Sequence, residues 1–416
     1  MGMQMRKNFL VKCLVKGRFV WPFLVTVSFL FLFIQNSSAA LGAWAQIEGE
    51  ARGQTIYFNA WGGSEPINDY VSWASRRAQE KYGIEVKHVK VTDIAEVVGR
   101  LLVEKSAGRL DGGRVDLLWI NGENFQQLKK SDLLYQVPRN LLPNAALVDW
   151  QKPTVQRDFT VPVDGYETPW GMAQLVFMYD TDVLAQPPHS MEELLVFAEA
   201  HPGRFTYPAP PSFYGTAFLK QLLLESISEP EALLAPVKKE DFSRVTAPLW
   251  HYLDRLHPLM WRKGNTFVTS SPALVSLLDN REIFIAYSFN PNEASRAIEN
   301  GELPDSVRTY VHSSGSLANT HFLAVPRNSS NRAAALVFIN MLLSPEAQAQ
   351  KSDLAVWGDP TVLAMEKLND RQKALFIGHS GPATLSAEEL GRVYPEPHPS
   401  WTVMIEEEWQ ARYGHR

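Results

Sequence analysis

The chain has 416 residues, which exceeds the roughly 250–300 at which single hydrophobic cores stop growing, so its length predicts two domains. Hydrophobic residues make up 45% and charged residues 20%, a composition that supplies packed cores and excludes a chain disordered throughout. With 40 basic and 45 acidic residues the net charge is −5, which argues against nucleic-acid binding because phosphate contacts need clustered Lys and Arg.

Residues 1–40 have the pattern of a secretory signal peptide. Five basic residues precede an apolar run from Phe19 to Ile34, and small residues follow up to Ala40. We expect cleavage after Ala40, with Ala45 as the second choice. The alternative is an anchor that stays attached, but an apolar run of 16 residues is short for a hydrocarbon core of ~30 Å.

The single cysteine, Cys13, lies inside this leader and before the apolar run. It therefore cannot be the lipid-acceptor cysteine of a lipoprotein, and the mature chain has no thiol for a disulfide or a thiolate metal site. Loss of the five basic residues leaves 35 basic against 45 acidic residues, a balance of −10. We expect an acidic protein outside the cytoplasm.

The mature chain opens with alternating strands and helices. A strand over Thr55–Ala60 precedes a helix that Ser64 caps and Gly83 ends, and a second strand covers Ile84–Val89. A helix from Ile94 to Lys105 then leads to a strand over 115–120. This β-α-β-α-β order predicts a parallel sheet covered by helices, with ligand groups in the loops at the carboxyl ends of its strands.

The later segments predict a second set of strands and helices. Met172–Tyr179 is interpreted as one apolar strand, 191–200 and 217–225 as helices, and Ser271 as the cap of a helix that runs to 278. Further strands are predicted over 283–287 and His321–Pro326, and another helix over 333–343.

Three segments carry a resemblance to a known family: 56–63 together with 116–122, then 169–180, then 322–326 before 338–347. Their order behind an export signal resembles extracellular solute-binding proteins of ABC importers, particularly the YnjB type and its thiamine-, polyamine- and iron-binding relatives. The resemblance implies a type II periplasmic-binding-protein fold of class α/β, in which two discontinuous lobes joined by a hinge close over a ligand.

The same resemblance implies domain boundaries and partners. The chain would cross the hinge near Pro169, His321 and Leu354, so that one lobe takes 46–168 plus 321–354 and the other takes 169–320 plus 355–416. The expected partners are a small-molecule ligand and the permease subunits of an importer in the inner membrane. The protein is expected to be a monomer in the periplasm and to need no cofactor.

Several loop and strand-end residues are candidates for ligand contact, because backbone N–H groups, amides, carboxylates and aromatic faces can hold a small organic molecule. For each one the alternative is an ordinary turn, helix cap or packing role. The glycines at 62 and 63 allow close backbone approach, and the segment 207–216 precedes a helix N-terminus that could hold an anionic or hydroxyl group. The candidates are Trp61, Gly62, Gly63, Asn121, Glu123, Trp170, Tyr207, Ser212, Tyr214, Tyr287, Asn290 and Trp357.

An enzyme is the rival interpretation, for instance a secreted hydrolase acting in a cleft between the lobes. Gly378–Gly381 is similar to a nucleophile elbow, but Pro382 stands where the last glycine is required. No metalloprotease or Walker motif is present, and the absence of a Tyr-Tyr pair argues against bound ferric ion. The sequence therefore favours a receptor for a small organic ligand, with a thiamine-like or polyamine-like cation ahead of a sugar or organic acid.

Overall fold

A computed structural model describes residues 42–414 of the chain. The predicted signal peptide and Cys13 lie outside these residues. Residues 42–51 are helical.

The strands that follow are β1 Thr55–Trp61, β2 Glu85–Val91, β3 Leu117–Ile120, β4 Arg157–Asp158, β5 Val161–Pro162, β6 Thr168–Gln174, β7 Val176–Asp180, β8 Ile285–Ser288, β9 Val307–Tyr310, β10 Ser316–Ala324 and β11 Val393–Pro395. The helices are α1 Glu65–Tyr82, α2 Ala95–Ser106, α3 Gly122–Lys130, α4 Pro153–Gln156, α5 Met191–Ala200, α6 Phe213–Ser226, α7 Lys239–Leu256, α8 Ser271–Asp279, α9 Glu293–Glu299, α10 Arg332–Leu342, α11 Pro345–Ser352, α12 Asp370–Ala374 and α13 Pro399–Tyr413.

The first sheet has six strands in the order β11-β10-β3-β1-β2, and β6 also pairs with β10. β1 pairs in parallel with both β2 and β3, so the predicted β-α-β-α-β order and its parallel sheet are confirmed. Ile56, Phe58 and Ala60 of β1 are fully buried, as expected for a strand at the centre of a covered sheet. α1 ends at Gly83, which has the left-handed φ of +68° that favours glycine.

A second sheet has three strands in the order β8-β7-β9. The prediction of one strand over Met172–Tyr179 is wrong, because the chain leaves the first sheet in β6 and enters the second in β7, with Leu175 between them. The Leu175 N–H donates to the carbonyl oxygen of Leu317 at 2.8 Å, and both side chains are fully buried. A continuous apolar run cannot reveal this break, because both strands are buried.

Two further boundaries differ from prediction. α6 begins at Phe213 rather than 217, which makes Ser212 the N-cap and puts Thr216 in the first turn. β10 begins at Ser316 rather than His321. Its first half is polar in sequence, yet it is buried because neighbouring strands and side chains satisfy its hydrogen bonds.

A buried ion pair lies beside β6 where the chain passes between the two sheets. Lys351 Nζ is 2.5 Å from Asp359 Oδ2, and both side chains are at most 1% exposed. The same ammonium donates to the carbonyl oxygen of Trp170, and His321 Nε2 lies 3.0 Å from Asp359 Oδ1. Burial acts to raise the pKa of Asp359, but Lys351 and His321 outweigh it and lower that pKa. A Cβ at Gly171 would overlap this network, so β6 requires glycine there.

Replacement of Lys351 by Met should destabilise the fold strongly. It leaves the Asp359 carboxylate buried without its cation, which costs about 3–5 kcal/mol of unfolding free energy. Urea denaturation monitored by circular dichroism measures this. The control is Lys87→Met, which breaks the exposed pair with Glu85 and should cost less than about 1 kcal/mol. Equal, small losses in the two variants would contradict a structural role for the buried pair.

Candidate functional site

The carboxyl ends of β1, β2 and β3 meet at one edge of the first sheet, because parallel strands end on the same side. Trp61 closes β1, Asp93 follows β2, and Asn121 and Glu123 follow β3. Indole, amide and carboxylate groups therefore lie at this edge. The sequence predicted three of these four residues as candidates and left out Asp93.

Trp61 and its two glycines form a close turn. The Trp61 indole folds back on the chain, and a Cβ at Gly63 would lie 2.5 Å from its Cζ2 atom. A Cβ at Gly62 would lie 2.5 Å from Cβ of Lys90 on β2. Both positions require glycine because the Lys90 and Trp61 side chains lie too close for a Cβ atom. The indole is partly exposed at the sheet edge.

The turn after β3 is fixed by hydrogen bonds. Asn121 Nδ2 donates to the carbonyl oxygen of Thr320 at 2.7 Å, which ties the turn to β10. The Gly122 N–H, at a left-handed φ of +63°, donates to Asp158 Oδ2 at 2.5 Å. Glu123 is partly exposed, and its Oε1 atom accepts from Asn124 Nδ2 at 3.0 Å. Burial, with the charges of neighbouring carboxylates, raises its pKa.

The N-terminal half of α6 faces this edge together with residues from the end of the chain. Thr216 Oγ1 donates to Glu406 Oε1 of α13 at 2.6 Å. One turn later, Lys220 Nζ is 2.5 Å from Glu396 Oε2, and both side chains are 1% exposed. Asn319 of β10 donates to the other oxygen of Glu396 at 3.1 Å. The second side of the site thus combines groups from the middle of the chain with groups near its C-terminus.

These groups form what we call the charge cluster, five carboxylates and one ammonium whose charges influence one another. Burial raises the pKa of Glu406 to about 7, and Glu123 and Asp93 add to that increase. Burial also raises the pKa of Asp158 well above its ordinary value, with Glu123 and Glu396 contributing. The members are Asp93, Glu123, Asp158, Lys220, Glu396 and Glu406.

Sequence reasoning found Glu123 and missed the other five members of the charge cluster. Asp93 could have been found, since it follows β2 at the same sheet edge as the predicted residues. Asp158, Lys220, Glu396 and Glu406 carry no local signal, because they are far apart in the sequence and meet only in the fold.

Two predicted tyrosines lie in the interior. Tyr287 and Tyr207 are both fully buried. Tyr287 Oη donates to the carbonyl oxygen of Tyr214 at 2.9 Å, and Tyr207 Oη is 2.6 Å from His257 Nε2. Ligand contact by these two rings stays a prediction, and the contacts that they make in this structure are packing contacts within the protein.

Ser212 and Tyr214 lie at the start of α6. Ser212 is the N-cap and is partly exposed, and its side chain makes no capping hydrogen bond. Burial raises the pKa of Tyr214 to about 12, while hydrogen bonds to Ser271 and Ser288 act against that increase. The two residues therefore sit on the surface of α6 nearest α8 and β8, where ligand contact remains a prediction.

Trp170, Trp357 and Asn290 lie near the passage between the sheets. The Trp170 and Trp357 rings are 5.6 Å apart and almost fully buried, and each packs against Trp119, which the sequence prediction left out. Asn290 Nδ2 donates to the carbonyl oxygen of Trp357 at 3.0 Å. These residues connect the end of β8 to β6 and β3, and their contact with ligand is a prediction.

The elbow-like motif of the sequence lies apart in the chain from the residues described above. His379, next to the serine of the elbow-like motif, has its Nδ1 2.8 Å from Ser352 Oγ, away from the charge cluster. Within residues 42–414, no three His, Asp or Glu side chains are grouped so that they could hold a metal ion. Over that same range, no helix has both the length and the apolar character needed to cross a membrane.

Comparison with known proteins identifies the family. The family model of bacterial extracellular solute-binding proteins matches residues 73–370. Protein YnjB of Escherichia coli K12 is 46% identical over 371 residues, which cover 89% of this chain and 94% of that protein. The chain thus closely resembles one curated relative along nearly its whole length.

Solved structures share the fold at low sequence identity. A putative spermidine/putrescine ABC transporter protein from Listeria monocytogenes matches with a TM-score of 0.62 and 15% identity over 87% of this chain and 99% of that one. Iron-bound HitA from Pseudomonas aeruginosa matches with a TM-score of 0.58 and 18% identity over 86% and 99%. The α/β arrangement described above is accordingly a type II periplasmic-binding-protein fold, and the chain belongs to the bacterial extracellular solute-binding proteins of ABC transporters.

Proposed function

We propose that this protein is a periplasmic receptor of an ABC importer and that it captures a small organic cation, thiamine-like or polyamine-like, by hinge closure. The observation that carries the proposal is the charge cluster. It lies between the carboxyl edge of β1–β3 and the face of α6, so a ligand there would touch both sides. Export would follow cleavage after Ala40, and the permease subunits in the inner membrane would receive the ligand from a monomeric receptor.

Charge balance favours a cation. Five carboxylates face one ammonium, and burial already raises the pKa of Glu123, Asp158 and Glu406. A ligand that brings positive charge stabilises the ionised form of these carboxyl groups, whereas an organic acid would disfavour it. The partly exposed Trp61 indole adds an aromatic face, and a cation over such a face contributes roughly 0.5–2 kcal/mol. Micromolar affinity needs about −8 kcal/mol, so several contacts of this kind are required.

Contacts across the cleft support closure as the mechanism. Helix α3, which follows β3, packs on α13. Gln126 of α3 lies 3.3 Å from His398 at the start of α13, measured between Nε2 atoms. A ligand shifts the balance towards this closed arrangement only if it binds that state better than the open one. The importer would then bind the surface that forms when the protein closes.

The ligand class can be tested by thermal shift on the purified mature protein. Thiamine, putrescine and spermidine are compared with glucose and citrate at pH 8 and low salt. We expect a rise in melting temperature with at least one cation, because binding to the folded state stabilises it. Stabilisation by the sugar or the acid alone would contradict the cation proposal, and turnover of the ligand would favour an enzyme.

Two substitutions at the sheet edge test the site. Glu123→Gln should weaken binding of the cation about tenfold, because it removes one charge-assisted contact, and Trp61→Ala should weaken it by a similar factor. Isothermal titration calorimetry measures both. Glu80→Gln on the exposed face of α1 is the matched control and should leave affinity unchanged. Wild-type affinity in both site variants would exclude this edge from the binding site.

The raised pKa of Glu406 predicts how pH affects stability. A carboxyl whose pKa is about 7 when folded and 4.5 when unfolded binds more protons in the folded state. Its stabilising contribution is present below about pH 4.5 and is lost as pH rises through about 7. The unliganded protein should therefore melt lower at pH 8 than at pH 6. Glu406→Gln should remove on the order of 2 °C of that difference.

The exposed neighbour on the same helix provides the control for this experiment. Glu407→Gln removes the same charge from α13 but from a solvated position, and should leave the pH dependence as it is in the wild type. Ligand affinity should depend on pH in the direction opposite to stability. A cation binds the ionised form of Glu406, so affinity should fall as pH drops below about 7. Parallel pH profiles for wild type and Glu406→Gln would show that this carboxyl has no part in either effect.

A further inference from the structure

Lys220 sits in surroundings that have the chemistry of a cation-binding site. Its ammonium is 2.5 Å from Glu396 Oε2 and lies over the Phe159 ring at 4.3 Å from the centroid. The Phe213 ring is 5.9 Å away on another side. A carboxylate and aromatic faces around a desolvated ammonium are the groups by which proteins recognise organic cations.

The aromatic face is held in place by an unusual backbone. Phe159 has a φ of +41° and Thr160 one of +72°, a left-handed conformation that residues other than glycine rarely adopt. The ring lies against the turn after β3, where a Cβ at Gly122 would be 2.9 Å from it. Asp158, the preceding residue, accepts the Gly122 N–H. The β4–β5 turn is therefore fixed to the first lobe with its phenyl ring under the ammonium.

The ammonium comes from a helix that contacts both sheets. Lys220 is on α6, whose Phe218 ring stacks on Tyr287 of β8 in the second sheet at 5.8 Å. The next residue, Gln221, accepts from the Leu317 N–H of β10 in the first sheet at 2.9 Å. The contact between Lys220 and Phe159 thus joins α6 to the β4–β5 turn.

The internal cation pairs with only one of the carboxyl groups around it. Asp158 is 1% exposed, and its Oδ1 atom accepts no hydrogen bond from residues 42–414. Glu123 and Glu406 lie close enough to Lys220 for its charge to act on both. Carboxyl groups that a second cationic group could pair with therefore lie beside an aromatic ring that is already in place.

From this geometry we infer that Lys220 is a tethered competitor of the ligand. In the unliganded protein its ammonium occupies a cation subsite formed by Phe159, Phe213 and Glu396, and a cationic group of the ligand displaces it from that subsite. The inference rests on the proposed function and adds a specificity-determining residue to it. Competition of this kind makes the apparent affinity proportional to the fraction of protein molecules in which the subsite is free. Only ligands with a strong cationic centre overcome it.

The test compares wild type with Lys220→Met by isothermal titration calorimetry, using thiamine and putrescine as probes. We expect the variant to bind the probe that binds wild type at least tenfold more tightly. Phe159→Leu in the Lys220→Met background should lose most of the gain, which separates a freed subsite from a general change in charge. Unchanged or weaker binding by Lys220→Met overturns the inference but leaves the receptor proposal intact. Binding of only neutral or anionic ligands overturns both.

A second readout needs no ligand. The unliganded Lys220→Met protein should have a larger radius of gyration by small-angle scattering, because the contact that joins the two sides is gone. Lys81→Met, which removes a lysine from the exposed end of α1, is the control and should match wild type. Should Lys220→Met fail to fold, Lys220→Gln keeps a donor for Glu396 without the charge and carries the same expectations. Identical scattering for Lys220→Gln and wild type would overturn the inference.

Discussion

The pairing of β6 with β10, and the buried Lys351–Asp359 ion pair beside it, is the constraint on which the rest of this structure depends. β6 pairs with β10 in the first sheet and runs within one residue into β7 of the second. The chain passes between sheets at a place where a backbone carbonyl oxygen and a buried carboxylate both pair with the Lys351 ammonium. Because such a pair is costly to break, the path of the chain between the two sheets is fixed.

The charge cluster is assembled from distant parts of the chain. The carboxyl edge of β1–β3 supplies Asp93 and Glu123, β4 supplies Asp158, and α6 with the C-terminal part supplies Lys220, Glu396 and Glu406. Burial, with the nearby charges of Glu123 and Asp93, raises the pKa of Glu406 to about 7. Under the proposed function, a cation bound at this cluster would favour the ionised form of that carboxyl.

The parts of the fold that the sequence predicted are those that local patterns determine. The apolar run of β1, the glycine that ends α1, and the polar residues after β3 can all be recognised over a few residues. The break at Leu175 was missed because both flanking strands are buried and equally apolar. The burial of Tyr287 could not be predicted, because whether a strand-end aromatic packs in the interior depends on neighbours that are distant in the sequence. Lys220 and Glu396 are 176 positions apart and meet only in three dimensions.

The two buried lysines illustrate how the same chemistry can serve opposite purposes. Lys351 and Lys220 each pair with a carboxylate at 2.5 Å, and each ammonium lies near aromatic rings. The partners of Lys351 surround the passage between the sheets, where two backbone carbonyl oxygens also accept from it. Lys220 instead is held by a carboxylate and by aromatic side chains, one of which belongs to the β4–β5 turn. An ammonium with backbone acceptors is part of the fixed framework of the fold, whereas under the inference above the one held by side chains is the one that a cationic ligand replaces.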